Sequence, residues 1–214
     1  MKTRLTLLAL LCSSLASADI IYSFTGGGAF NGTNLTYGFR FTPVVDITVS
    51  SLGFFDRDAN GLSGSHRVGI WDLSQNLLLS TTVTTLNSTL GGSTVTIPGG
   101  PVGRFRFTPV PATQLTAGTT YVIGGADEGS ADNWFGSVTN QALAPSLATV
   151  TSGGFASTST GFLYPGSGIV NGTGWGIVSF EANATVPEPG TTALLGVGLA
   201  LGSAVLRRRV RRNV

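Results

Sequence analysis

Leu35-Thr36-Tyr37-Gly38-Phe39-Arg40-Phe41 places Leu35, Tyr37, Phe39 and Phe41 on one side of an extended chain, with Thr36 and Arg40 on the other. A period of two is the pattern of a half-buried strand, because successive side chains of a strand point to opposite faces. Arg104-Phe105-Arg106-Phe107 repeats the pattern. Between them, Ile47 and Val49 share a face while Leu52 and Phe54 take the opposite phase. One extra residue near Ser50-Ser51, a β-bulge, accounts for the switch. Working outward, strands are expected at residues 20–24, 68–71, 77–84, 120–123 and 175–182, with a hairpin turn at Asp72-Leu73-Ser74-Gln75-Asn76. Residues 125–173 are richer in Gly, Ser, Thr and Asn, and predict long loops with short strands near 147–150 and 160–163. No internal repeat and no convincing 3.6-residue periodicity occurs in this part of the chain. About eight to ten strands without helices predict an all-β domain over residues 19–185: a single β-sandwich, jelly-roll-like.

Composition agrees. The chain has 31 glycines and only 10% charged residues, yet 42% are hydrophobic. That is enough apolar surface to offset chain entropy, and it argues against disorder. The formal charge of +2 hides an uneven split, because the two ends carry +6. Residues 19–185 hold five arginines against nine acids, a net charge of −4. The basic pI therefore describes the termini, and nucleic acid is not an expected partner. The single cysteine, Cys12, lies in the N-terminal apolar run, so residues 19–185 can form neither a disulfide nor a thiolate metal site.

Both ends read as addresses. Lys2 and Arg4 precede an apolar run over residues 5–16, followed by Ala16-Ser17-Ala18. This is the layout of a secretory signal peptide, residues 1–18, with its h-region helix too short to span a bilayer and cleavage expected after Ala18. At the other end, residues 191–206 contain no charge and are followed by Arg207-Arg208-Arg209-Val210-Arg211-Arg212. As a helix the apolar run is roughly 24 Å long, a marginal transmembrane helix that snorkelling arginines would help to seat. The basic tail, residues 207–212, is expected to stay on the cytoplasmic side. Before the helix, Val186-Pro187-Glu188-Pro189-Gly190 cannot continue regular structure, since proline lacks the amide donor.

The triplet Pro187, Glu188 and Pro189, the short apolar helix and the block Arg207, Arg208, Arg209 together resemble the PEP-CTERM sorting signal, over residues 186–212. The resemblance implies a Gram-negative bacterial host, often one that makes exopolysaccharide. It also implies an exosortase partner, a membrane transpeptidase that removes the tail near the triplet. The plain alternative is a tail anchor with a proline-rich stalk. A second resemblance rests on Gly38-Phe39-Arg40-Phe41-Thr42-Pro43, Asp58-Ala59-Asn60-Gly61-Leu62, His66-Arg67-Val68-Gly69-Ile70-Trp71-Asp72 and Leu115-Thr116-Ala117-Gly118-Thr119-Thr120-Tyr121. In that order they are similar to a domain of unknown function in bacterial surface proteins. This likeness implies an extracellular β-sandwich and no particular activity.

For chemistry within the domain, His66 is the only histidine, and no G-x-S-x-G nucleophile elbow occurs. A hydrolase would have to rely on carboxylates, with Asp127, Glu128 and Asp132 or Asp56 as the available acids. Asp56, Asp58 and Asn60 put oxygen donors at alternate positions before Gly61, as calcium loops do, although the twelfth position is Arg67 instead of a bidentate glutamate. A weak Ca2+ site is the cofactor expectation; no other cofactor is expected. Sugar binding requires aromatics beside polar groups on loops, and Trp134 and Tyr164 fit, whereas Trp71 and Trp175 sit in strand patterns and read as core. The five N-x-S/T sequons follow from the Asn- and Thr-rich composition. The sequence as a whole predicts an exported protein, anchored at the inner membrane during sorting and then at the cell surface or outside it. Its role is read as structural, adhesive or carbohydrate-associated and without catalysis. The alternative is a secreted carboxylate-dependent glycoside hydrolase.

Overall fold

The computed structural model describes residues 18–30, 34–96, 102–126, 128, 132, 134–150, 154–170 and 174–185. The signal-peptide helix, the Pro-Glu-Pro triplet, the transmembrane helix and the basic tail lie outside these residues, as does Asp127. The described chain is all-β, with three antiparallel sheets in a sandwich-like arrangement.

The first sheet runs β1 (Asp19–Ile20), β16 (Val178–Ala184), β5 (Ile47–Asp56), β9 (Val102–Leu115) and β8 (Thr89–Thr96). The second runs β14 (Ser167–Val170), β13 (Gly154–Ala156), β4 (Thr36–Pro43), β10 (Tyr121–Ala126), β6 (His66–Asp72) and β7 (Leu77–Val83), with β12 (Ala148–Val150) also paired to β4. The third joins β15 (Gly174–Gly176), β11 (Trp134–Ala142), β2 (Tyr22–Thr25) and β3 (Gly28–Phe30). The alternating segment around Phe39 is a central strand of the second sheet, and Phe39 and Phe41 are fully buried. The expected bulge is present: the β5–β9 register shifts between Val49 and Ser51, so that Ile47, Val49, Leu52 and Phe54 are all buried despite their opposite phases. The hairpin turn also forms. The Asp72 Oδ1 accepts the Asn76 amide at 2.9 Å, and Gln75 takes the left-handed conformation at φ 68° that closes it.

Aromatic side chains bind the layers together. Phe41 meets Phe180 at 4.5 Å between ring centroids, Tyr22 meets Phe39 at 4.2 Å and Phe24 meets Phe55 at 4.8 Å. Each contact joins strands of different sheets. Burying one such ring stabilises the fold by roughly 1.5–3 kcal/mol, so these contacts contribute to cohesion alongside the buried aliphatic residues of the same core.

Some segments differ from expectation. The described residues form sixteen strands, because bulges and single-residue breaks at Ile21 and Ile177 divide what the sequence presents as continuous runs. Residues 160–163 are not a strand. They belong to a loop that crosses the outer face of the second sheet, and the Thr36 hydroxyl holds it there by donating to the Gly161 carbonyl (2.8 Å) and accepting the Leu163 amide (2.9 Å). The space beneath this loop comes from three glycines in register across β4, β10 and β6: Gly38, Gly124 and Gly69. A Cβ on Gly69 would lie 2.8 Å from the Phe162 ring, and one on Gly124 would lie 2.9 Å from Pro165. Trp71 is buried as expected, but on this outer side, where its ring packs against Phe162 at 5.1 Å. Trp175 is in the main core, edge-on to Tyr37 at 5.0 Å.

Candidate functional site

Among the described acids singled out by sequence, Asp56, Asp132 and Glu128 each bond to the segment from Gly61 to Arg67. Asp56 ends β5 and begins a turn in which Ala59 has φ 56° and Gly61 φ 127°. Its side chain is 2% exposed. The Oδ2 accepts the Arg106 Nε–H at 2.6 Å and the Gly61 amide at 3.0 Å. Asp58 and Asn60 face each other, with Asn60 Nδ2 donating to Asp58 Oδ2 at 2.8 Å. These bonds engage Asp56 Oδ2, Asp58 Oδ2 and the Asn60 amide nitrogen. Among the described residues, no group of three or more His, Cys, Asp or Glu side chains is placed to hold a metal.

Beyond the turn, His66 opens β6 and is fully buried. Its ring lies flat on Phe54, 3.7 Å between centroids and 12° between planes. Nε2 is 2.8 Å from Asp132 Oδ2, and Nδ1 is 3.2 Å from the Ala126 carbonyl. Both ring nitrogens therefore face an oxygen acceptor. Asp132 also accepts the Ser63 amide at 2.9 Å and the Gly64 amide at 3.1 Å, which fastens the turn after β5 to the loop after β10. Glu128 completes the cluster on the outside. Its Oε1 accepts the Arg67 Nε–H at 2.5 Å, and the Arg67 guanidinium lies over the Phe162 ring at 5.1 Å.

The electrostatics of Asp132 run against a general-acid role for that residue. Burial by itself would raise the Asp132 pKa; the hydrogen bonds from His66, Ser63 and Gly64 and the His66 charge outweigh it and lower the pKa to about 2. A glycosidase general acid needs the opposite shift, so that it holds a proton near neutral pH. The pKa has a consequence for stability. Since Asp132 is more acidic in the folded state, its contribution is complete above about pH 4 and is lost as pH falls toward 2. Thermal unfolding between pH 5 and 2 should show Asp132→Asn with a flatter pH dependence than the parent. The difference should be on the order of 1 kcal/mol, allowing for solvent contact of the carboxylate.

The two aromatics proposed for sugar contact are not brought together by any described contact. Trp134 begins β11, and its side chain is outside the described set. Tyr164 is half-buried in the loop over the second sheet, edge-on to Trp71 at 6.4 Å. A separate cavity of 430 Å³, lined by Ala18, Asp19, Ile20, Gly92 and residues 143–146, shares no residue with the acidic cluster. Sequence reasoning missed Arg106 as the Asp56 partner and Asp132 as the His66 partner. The partners are 50 and 66 positions apart; the β5–β9 register brings Arg106 to Asp56, and the loop after β10 brings Asp132 to His66.

No curated protein matches the chain. Residues 185–210 match the PEP-CTERM protein-sorting motif, beginning immediately after the last residue of β16. The motif implies processing by an exosortase and delivery to the cell surface, so this chain is an exported, C-terminally sorted surface protein carrying a PEP-CTERM signal.

Proposed function

We propose that the β-sandwich is a non-catalytic surface or matrix module, structural or adhesive, that associates with polysaccharide outside the cell. The observation that carries this reading is the pairing of the described candidate acids: Asp56 with Arg106, Asp132 with His66 and Glu128 with Arg67. A hydrolytic site needs an acid free to gain or lose a proton beside substrate. Here two acids are held under backbone amides and the third is at the surface with an arginine. The only histidine lies beneath the surface with both ring nitrogens engaged. Such pairs suit a role in fixing loops. The exported chain should show no turnover of polysaccharide, ester or peptide substrates above blank. Turnover abolished by His66→Ala or Asp132→Ala in protein that remains folded would replace this reading with the hydrolase.

Carbohydrate association is assigned to the outer loop, where Tyr164 offers a partly exposed ring supported from below by Trp71. Retention of the chain on polysaccharide isolated from the host should fall up to about tenfold in Tyr164→Ala, the effect of removing one aromatic contact. Equal retention of both proteins would remove the loop from the binding surface.

A further inference from the structure

We propose that one end of the sandwich, formed by the loops at residues 43–47 and 142–148, is the face on which the exosortase docks while it processes the tail. The inference rests on the sorting signal at residues 185–210 and adds a recognition surface outside it. Chain length carries it. β16 ends at Ala184, and the sorting motif begins at the next residue. Pro187 and Pro189 are three and five residues past Ala184, so even a fully extended chain places them within about 11 and 18 Å of the strand end. That reach is shorter than the diameter of a small folded domain, about 30 Å. An enzyme that closes on the triplet therefore lies against whatever surrounds the end of β16.

Two loops surround it. Ala184 pairs with Ile47, where the first loop enters β5. On the other side Asp19 of β1 pairs with Ala182, and the second loop follows β1, with the Leu143 amide donating to the Ile21 carbonyl at 2.9 Å. The loops are tied to each other, since the Val44 amide donates to the Leu147 carbonyl at 2.8 Å. Both leave aliphatic side chains in solvent: Val44 is 52% exposed, and Val45 and Leu143 are each 39% exposed. The 430 Å³ cavity lies between residues 18–20 and 143–146, at the same end. Exposed aliphatic side chains beside a recess offer a protein partner an apolar contact centre and a pocket to fill. A lipid surface fits less well. The charges here, Asp19 and Asp46, are acidic, and neither loop holds a lysine or arginine to meet phosphate head groups.

The test follows conversion of the full chain to its shorter form in the host. Val44→Lys combined with Leu143→Lys should slow conversion at least about fivefold, because it puts two charges into an apolar contact. Val102→Lys, on a residue 46% exposed at the opposite end of β9, should convert at the parent rate. A Gly-Ser spacer of about ten residues inserted after Ala184 alters no described residue, and it should also slow conversion by lowering the effective concentration of the triplet at the docked enzyme. Residues 19–185 contain no cysteine, so Val45→Cys carries a thiol-linked photocross-linker at one place, and it should capture the exosortase. Conversion at the parent rate in the lysine pair, unchanged or faster conversion with the spacer, or capture on lipid or on another protein overturns the docking alone. A parent chain that is never converted overturns the sorting reading and the docking with it.

Discussion

Arg106→Ala should unfold far more easily than the parent, losing about 3–5 kcal/mol, or roughly 10 °C or more of thermal midpoint for a domain of this size. The reason is the carboxylate it leaves behind. Asp56 is 2% exposed, and its Oδ2 has two donors, the Arg106 Nε–H and the Gly61 amide. With the guanidinium gone, a buried charge keeps one neutral donor and no counter-ion. Replacing both partners, as Asp56→Leu with Arg106→Leu, should cost much less than the single change, because no unpaired charge remains. It should still cost something, since the Gly61 amide loses its acceptor. Chemical denaturation of the three proteins under one set of conditions is the check. A single variant no worse than the double would mean that Asp56 reaches solvent or another partner, and the structural reading of the acidic cluster would fail with it.

Changing Pro187, Glu188 and Pro189 together to alanine should leave the domain folded and the chain exported but unprocessed. The triplet lies within the matched sorting motif at residues 185–210, and the strand core ends at Ala184, so the change touches no described packing. What it removes is the Pro-Glu-Pro triplet of the matched motif. The substituted chain should accumulate in the membrane fraction at its full mass, while the parent is converted to a shorter surface form. Normal processing of the triple variant would place recognition elsewhere in the tail.

Much of the fold was legible in the sequence because strands announce themselves by period two. The run from Leu35 to Phe41 and the phase switch at Ser50-Ser51 correspond to β4 and to the bulge in β5. The sorting signal was legible because its parts are local and occur in order. The candidate site was less so. His66 could be singled out, but its partner Asp132 comes from a loop after β10, and nothing near either residue signals the other. The acids of the turn had the spacing of metal ligands, and that spacing carries no information about Arg106, which arrives through the β5–β9 register. The outer-face loop misled for a related reason. Residues 160–163 have strand-like composition, but Gly161 at φ 101° and the two bonds to the Thr36 side chain bend them over the glycine row.

Intact-mass and terminal-peptide mass spectrometry of the surface form, from cells that carry an exosortase, tests most directly the claim that this chain is a sorted surface protein. The expected species begins at Asp19 and ends near Pro187-Glu188-Pro189, without Arg207–Arg212. A surface species that retains Arg207–Arg212 would contradict the account and make the C-terminal segment a plain tail anchor.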